Sequence, residues 1–359
     1  MTARVIVSGP HAHSHASVTN VMGLVMLCLT PGTLMGFYQF GWPAVLLFGI
    51  TLVSAFFWEA VCLAFAGKDL DRFLFDGSAI LTAWLLAMTL PPWAPWWIGF
   101  IGAFIAIVLG KHVFGGLGQN PFNPAMVARA MLLVALPVQM TTWVLPDPII
   151  SAAAPSFSDA LAITFGGGVQ IDAVSSATTL NHVSAGLDGG APLSQIMADT
   201  FSLHDLFIGH VSGSLGETSA LLLGLGGILL IAMRVISWHT PLAVFVGAGG
   251  LASLLWLIDP AHYPNPLWHL SSGALVLCAF FIATDYVTSP ITRVGQMIYG
   301  IGIGLLIVII RTWGSFPEGA AFAVLLMNAC TPLLDEYIRP RVFGRDRAGK
   351  PLKIKGANE

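Results

Sequence analysis

Little in this sequence is charged. Asp, Glu, Lys and Arg make up 9% of its 359 residues, against roughly 25% in a soluble globular domain, which excludes an ordinary cytosolic enzyme. Cysteine is sparse too. Cys28, Cys62, Cys278 and Cys330 lie far apart in apolar runs, with no C-x-x-C pair. That excludes a disulfide framework, a zinc knuckle, or an iron–sulfur cluster held by this chain alone. The net charge of −3 offers no basis for a nucleic-acid partner. The 39 glycines and 22 prolines follow no three-residue period, so the chain is not collagenous.

What is abundant is apolar: 56% of the residues, with a mean hydropathy of +0.81. A hydrocarbon core of roughly 30 Å takes about 20 apolar residues per helix. Windows of that kind fall near 21–40, 43–66, 78–92, 95–114, 124–143, 218–236, 241–258, 267–284, 295–312 and 318–335. The expected fold is an all-α polytopic membrane protein with ten transmembrane helices. Pro31-Gly32 should kink the first helix rather than end it, and Leu90-Pro91-Pro92 makes the edge of the third one soft.

Basic residues orient the chain. With the N-terminus inside, the internal loops hold Arg4, Lys68, Arg72, Lys111, Arg234 and Arg293. The tail adds Arg339, Arg341, Arg345, Arg347, Lys350, Lys353 and Lys355, while only Arg311 faces outward. Both termini are therefore expected in the cytoplasm. Residues 1–17 are polar and do not resemble a cleavable signal, so the first span is expected to be kept.

The chain matches itself at an offset of 196. Gly77, Leu81, Ala83 and Ala87 fall on Gly273, Leu277, Ala279 and Ala283, and Gly99, Ile105, Ile107 and Leu109 fall on Gly295, Ile301, Ile303 and Leu305. Gly118 and Pro121 fall on Gly314 and Pro317. Five helices per half make this an inverted repeat, a design that puts a polar pathway at the repeat interface. The expected division is a cytoplasmic N-terminus (1–20), a first five-helix repeat (21–144), one external loop region (145–217), a second repeat (218–335) and a basic cytoplasmic tail (336–359). The external region contains no Lys or Arg but six Asp.

Within it stands Gly166-Gly167-Gly168-Val-Gln-Ile-Asp172-Ala-Val-Ser175-Ser176-Ala177-Thr178-Thr179. A glycine run, an acid and four hydroxyls on irregular backbone suit a phosphate cradle, or equally a solvated Ser/Thr turn. Glu59 is the clearest ionisable group inside a span. It reads either as part of an ion or proton pathway or as an acid paired to a neighbour such as Arg129. Asp76 reads as a cap for Gly77-Ser78. The Gly115–Pro124 stretch lacks the Lys of a nucleotide-binding loop and reads as a tight turn. His11, His13 and His15 read as incidental.

Asp172-x-x-Ser175-Ser176-Ala177-Thr178 resembles the D-x-x-[ST]-G-A-T flavinylation signature of the membrane subunits of Rnf and sodium-pumping NADH:quinone reductase complexes, with Ser176 where Gly is usual. Asp76-Gly77-Ser78-Ala79, Gly115-Gly116-Leu-Gly118-Gln-Asn120-Pro121-Phe-Asn123-Pro124, Ala283-Thr284-Asp285 and Pro317-Glu318-Gly319 also resemble that family. The compact length and Ser8-Gly9-Pro10-His11 are more similar to the D-type members of Rnf complexes than to the longer B-type members of the quinone reductase.

The resemblance implies FMN joined to Thr178 by a phosphoester, with Thr179 a second possible acceptor. Asp172, Ser175, Ser176 and Ala177 would be recognition or flavin contacts. It also implies maturation by a separate flavin transferase on the periplasmic side of a bacterial inner membrane. A second, non-covalent flavin such as riboflavin is compatible with it. Partners would be the other membrane and peripheral subunits, including iron–sulfur subunits and a second flavin-bearing one. The implied activity is electron transfer between ferredoxin and NAD coupled to sodium or proton movement, with no complete active site in this chain. The repeat equally suits a stand-alone small-solute transporter or channel, which would bind no flavin. A purely structural membrane anchor would never be flavinylated.

Overall fold

The computed structural model describes residues 17–151, 154–166, 175–176, 178–198, 203–314, 316, 318–340 and 344. The first helix, α1 (Val18–Phe65), starts where Ser17 Oγ accepts from the Asn20 N–H at 3.1 Å. Unbroken, its 48 residues would run about 72 Å, more than twice the thickness of a hydrocarbon core. Gly41, at φ +70°, adopts backbone that side-chain-bearing residues avoid and divides the tract in two. Pro31 lies inside the first part without ending it, as expected.

After a turn at Gly77 (φ +84°), α2 (Ser78–Thr89) is only 12 residues, about 18 Å, and stops at Leu90 because the following prolines push it extended. Helix α3 (Trp96–Phe104) continues as a π-helical turn, Ile105–Leu109. Helix α4 (Pro124–Ala135) is capped by Asn123, whose Oδ1 accepts from the Ala125 and Met126 N–H groups. It ends well before residue 143, because Pro137 disfavours helical backbone at Leu136. Trp143–Val144 (β1) then pairs antiparallel with Ser175–Ser176 (β2).

The 145–217 segment is built rather than loose. Helix α5 (Phe157–Phe165) opens on a capping box of Ser156 and Asp159, and α6 (Thr179–Asp188) is followed by short helices at Leu193–Ala198 and Leu203–Ile208. Leu180, Val183, Leu193, Ile196, Leu206 and Val211 pack with Trp268 as a small core of their own. Residues 211–219 are buried throughout. Leu215 fills the space beside Gly36 of α1, and Gly216 is pressed against Met88 and Leu277. A Ser- and Gly-rich stretch can lie this deep only because surrounding protein satisfies its backbone; Ser214 Oγ, for example, donates to Glu217.

The second half runs through α7 (Ala220–Ala232), α8 (His239–Ile258), α9 (Pro266–Ser271), α10 (Leu275–Leu277, continuing as a π turn Cys278–Ile282), α11 (Arg293–Trp313) and α12 (Ala320–Tyr337). The window at 267–284 is thus broken, at Gly273 with φ +64°. Helices α8 and α11 touch through Gly247, Gly300 and Gly304. A Cβ at Gly304 would collide with the Val244 carbonyl, so the backbones meet directly, the usual way of packing helices where lipid supplies no hydrophobic force. Among the described residues, four tracts are long and apolar enough to cross a membrane: Val18–Phe65, Trp96–Phe114, His239–Ile258 and Arg293–Trp313. The other windows hold shorter or interrupted helices.

Candidate functional site

Thr178 is the N-cap of α6. Its Oγ1 accepts from the Asn181 N–H at 3.1 Å, and the residue is 4% exposed. Thr179, equally buried, is the first helical residue. The hydroxyl therefore sits at the positive end of a ten-residue helix, where backbone N–H groups and the helix dipole favour an attached phosphate. That position fits a phosphoester. Ser175 and Ser176 form β2, which ties the segment to Trp143. Asp172 and Ala177, like His11, His13 and His15, lie outside the described residues.

Glu59 is 2% exposed and its partner is not Arg129. Lys111 Nζ donates to Glu59 Oε1 at 2.7 Å, and His112 Nε2 lies 3.0 Å from Oε2. The reason is the bend of the chain: Lys111 follows the π turn of α3 and is buried against the start of α2. There its ammonium also donates to Ser78 Oγ at 2.8 Å. Ser78 in turn donates through both N and Oγ to Asp76 Oδ1, so Asp76 caps α2 as expected. Arg129, one of the readings for the partner of Glu59, instead lies 5.8 Å from the ring of Trp143, the residue paired with Ser176.

A similar arrangement occurs at the break before α10. Arg311, near the end of α11, donates to the carbonyls of His269 and Ser272 at 2.8 and 3.0 Å and pairs with Glu318 at 3.2 Å. Glu318 Oε2 accepts from the Ala274 N–H at 3.2 Å. Ser78 and Ala274 stand 196 residues apart, the offset of the internal match. In both halves a positive-φ glycine precedes the capped N–H, a carboxylate accepts from it, and a buried cation from a later helix locks the turn.

Nothing in sequence spacing alone assigns these cations. Lys111 reads as an orienting loop charge and Arg311 as a helix-end one. The available signal is that each abuts a long apolar run.

Two motifs from opposite halves meet at a cavity of about 80 Å³ whose lining includes Ser78, Lys111, Asn120, Asn123, Phe281 and Asp285. Asp285 accepts from Val287 N and Thr288 Oγ1, a local cap. Glu217, at the end of the buried 211–219 stretch, is a further acid that no sequence motif singles out. Burial, with Glu318 nearby, pushes its carboxyl up to about 7, against the pull of the Ser214 hydroxyl.

The chain matches the NQR2, RnfD, RnfE family over residues 5–344. It is 52% identical over 337 residues to the D subunit of the ion-translocating oxidoreductase complex of Stutzerimonas stutzeri, covering 94% of this chain and 95% of that one. The protein of the same name from Halorhodospira halophila is 48% identical over 347 residues, 97% of each chain. That from Rhodobacter capsulatus is 53% identical over 304 residues, 85% of this chain and 84% of its own.

Proposed function

The chain belongs to the NQR2, RnfD, RnfE family, and from that membership we propose that it is the D-type membrane subunit of an Rnf-type ion-translocating oxidoreductase. It carries FMN in phosphoester linkage on Thr178. It takes part in electron transfer between ferredoxin and NAD, coupled to sodium or proton movement. The observation that carries the reading is Thr178 itself. The acceptor hydroxyl of a flavinylation-like sequence stands as the N-cap of α6, at a helix end suited to phosphate.

When bound, FMN supplies one-electron exchange, and the protein supplies position and environment. This chain's own part is modest. It presents the Thr178 hydroxyl, holds its loop to Trp143 through β1 and β2, and packs α6 onto the bundle through Leu180 and Trp268. Ferredoxin and NAD are left to iron–sulfur and flavin-bearing partner subunits. A separate flavin transferase loads Thr178. A second, non-covalent flavin such as riboflavin belongs to the same proposal; acid extraction would release it and leave the covalent one.

Ten spans in two inverted halves, with both termini cytoplasmic and the flavin on the periplasmic side of the inner membrane, complete the reading. It is supported by the charge bias and by the matching turns at Gly77 and Gly273. Glu59 enters as a point on the ion path that is occupied by the Lys111 ammonium, so a cation would have to displace that partner.

The test is an ultraviolet scan of a denaturing gel of the chain made with its flavin transferase, then peptide mass spectrometry. A fluorescent band with an FMN-sized adduct on Thr178 is expected. A dark band refutes covalent flavin and moves a flavin-free transporter to the front.

A further inference from the structure

Helix α7 ends in a way that its own residues do not favour. Past Ala232 the Arg234 N–H donates to the Ile231 carbonyl and the Val235 N–H to the Leu230 carbonyl, each at 2.9 Å. These two bonds put Arg234 in left-handed backbone, a place that glycine usually fills because no Cβ crowds there. Among the described residues Arg234, at φ +57°, is the one side-chain-bearing residue with a positive φ. An outlier of this kind persists where its surroundings hold it and its side chain has a use. A cation near a helix C-terminus is favourable, but an arginine one position earlier would serve the dipole on ordinary backbone.

The turn that carries Arg234 is held against the start of α11. Ser237 Oγ donates to Gln296 Oε1 at 2.6 Å, and the Tyr286 hydroxyl donates to the Val235 carbonyl. Arg234 precedes Ser237 by three residues, and Arg293 precedes Gln296 by three. Each arginine is therefore rooted no more than about 11 Å of chain from that side-chain bond. Both are exposed, and neither makes a hydrogen bond or ion pair among the described residues. An acid in the same corner, Asp335 of α12, is committed to the Ile291 N–H at 3.0 Å.

The surroundings of the two cations are apolar. Trp238, half exposed, stacks on His239 with ring centroids 4.1 Å apart, and such a ring suits the depth of lipid headgroups. Ile228 and Leu229 on α7, Leu242 and Val246 on α8, and Val294 and Ile298 on α11 leave apolar surface exposed on the adjoining helix turns. A soluble anion would meet the cations and leave those faces bare. A phosphate that carries hydrocarbon and a net negative charge meets both, and a guanidinium matches its oxygens in pairs. We propose that this corner binds the headgroup of an anionic phospholipid, with its chains along α7, α8 and α11. The charge bias assigns this end of the bundle to the cytoplasm, but the proposal depends neither on that orientation nor on the flavin.

The experiment titrates the purified full chain, in nonionic detergent, with dioleoylphosphatidylglycerol or dioleoylphosphatidylcholine and counts bound lipid by native mass spectrometry. The proteins are wild type, Arg234→Gly, Arg293→Gln and the double variant. Arg234→Gly supplies the residue that the backbone prefers, so its thermal midpoint should hold or rise. Wild type should take its first phosphatidylglycerol about 25-fold more tightly than phosphatidylcholine, about fivefold for each arginine, the equivalent of ~1 kcal/mol apiece. Each single variant should lose about fivefold, and the double variant the whole preference. Salt should weaken it. Lys350→Gln, Lys353→Gln and Lys355→Gln together, in the basic tail, should leave that first lipid in place.

Equal affinity for the two lipids in wild type would overturn the proposal. So would a preference that the tail variant removes and the arginine variants keep. Displacement of the bound lipid by inorganic phosphate at equal concentration would overturn it too, since the chains would then add nothing. A double variant that binds phosphatidylglycerol like wild type but loses a co-purifying subunit would give the corner to a protein partner instead.

Discussion

Replacing Lys111 with Met removes one side of a pair in which both residues are 2% exposed and the contact is 2.7 Å. Breaking a buried ion pair from one side costs about 3–5 kcal/mol, because the remaining charge is stranded. His112, 3.0 Å from the other Glu59 oxygen, keeps part of that charge satisfied, which favours the lower end. Loss of the donor to Ser78 Oγ adds about 1 kcal/mol. The expected cost of Lys111→Met is thus about 4 kcal/mol. Glu59→Leu combined with Lys111→Met removes both charges, and the double variant should recover about 2 kcal/mol or more of the summed single costs. The assay is reversible unfolding of the detergent-solubilised chain in mixed micelles, followed by tryptophan fluorescence, as a double-mutant cycle. A single-variant loss under about 1 kcal/mol, or strictly additive costs, would refute the argument that this pair locks the start of α2.

Thr178→Ala should abolish the covalent flavin in a denaturing gel. It should cost about 1 kcal/mol in α6 through loss of the cap, with insertion unchanged by cysteine-accessibility mapping. Glu217 ionises near 7 instead of its ordinary 4.5, so its charged form opposes the fold. Stability should be full below pH 4.5 and fall as the pH rises toward 7, by about 3 kcal/mol. Glu217→Gln should flatten that dependence in thermal midpoints between pH 5 and 8, and an unchanged slope would count against it. Gly304→Val places a Cβ into the Val244 carbonyl and should destabilise by about 1–3 kcal/mol or more. A variant as stable as wild type in the same unfolding assay would mean that α8 and α11 do not meet backbone to backbone.

How far the sequence could be read follows from what one dimension encodes. Apolar windows and proline rules are local, so the stop at Leu90 was legible from the residues themselves, whereas the break at Gly41, ten residues past Pro31, was not. The cap at Asp76 was legible for the same reason, since an acid two residues before a helix N–H needs no tertiary information. The partner of Glu59 was not. Which buried cation meets it depends on how separate helices pack, so an arginine of the fifth window stood as the candidate while Lys111 read only as a loop charge. The burial of 211–219 was hidden as well. Its Ser and Gly content matches an external loop, and only the hollow at Gly36 and the contacts of Gly216 with Met88 and Leu277 show that protein rather than water surrounds it.

The two locked turns give the internal match a physical content that counting identities lacked. Gly77 and Gly273 agree as letters, but the functional likeness is carried by residues that do not align. Lys111 shifted by 196 lands on residue 307, one helical turn short of Arg311, and so on the same helix face. The carboxylates come from different places altogether, Asp76 from just before its own helix and Glu318 from beyond α11. What the halves share is a demand: a helix that starts inside the bundle exposes N–H groups that no water can reach. Each half answers it with whatever acid and base its chain brings near. If these turns move during ion translocation, the cations must leave their carboxylates. The side on which Arg311 lies is then tied to α6 and Thr178 through the contact of Leu180 with Gly273.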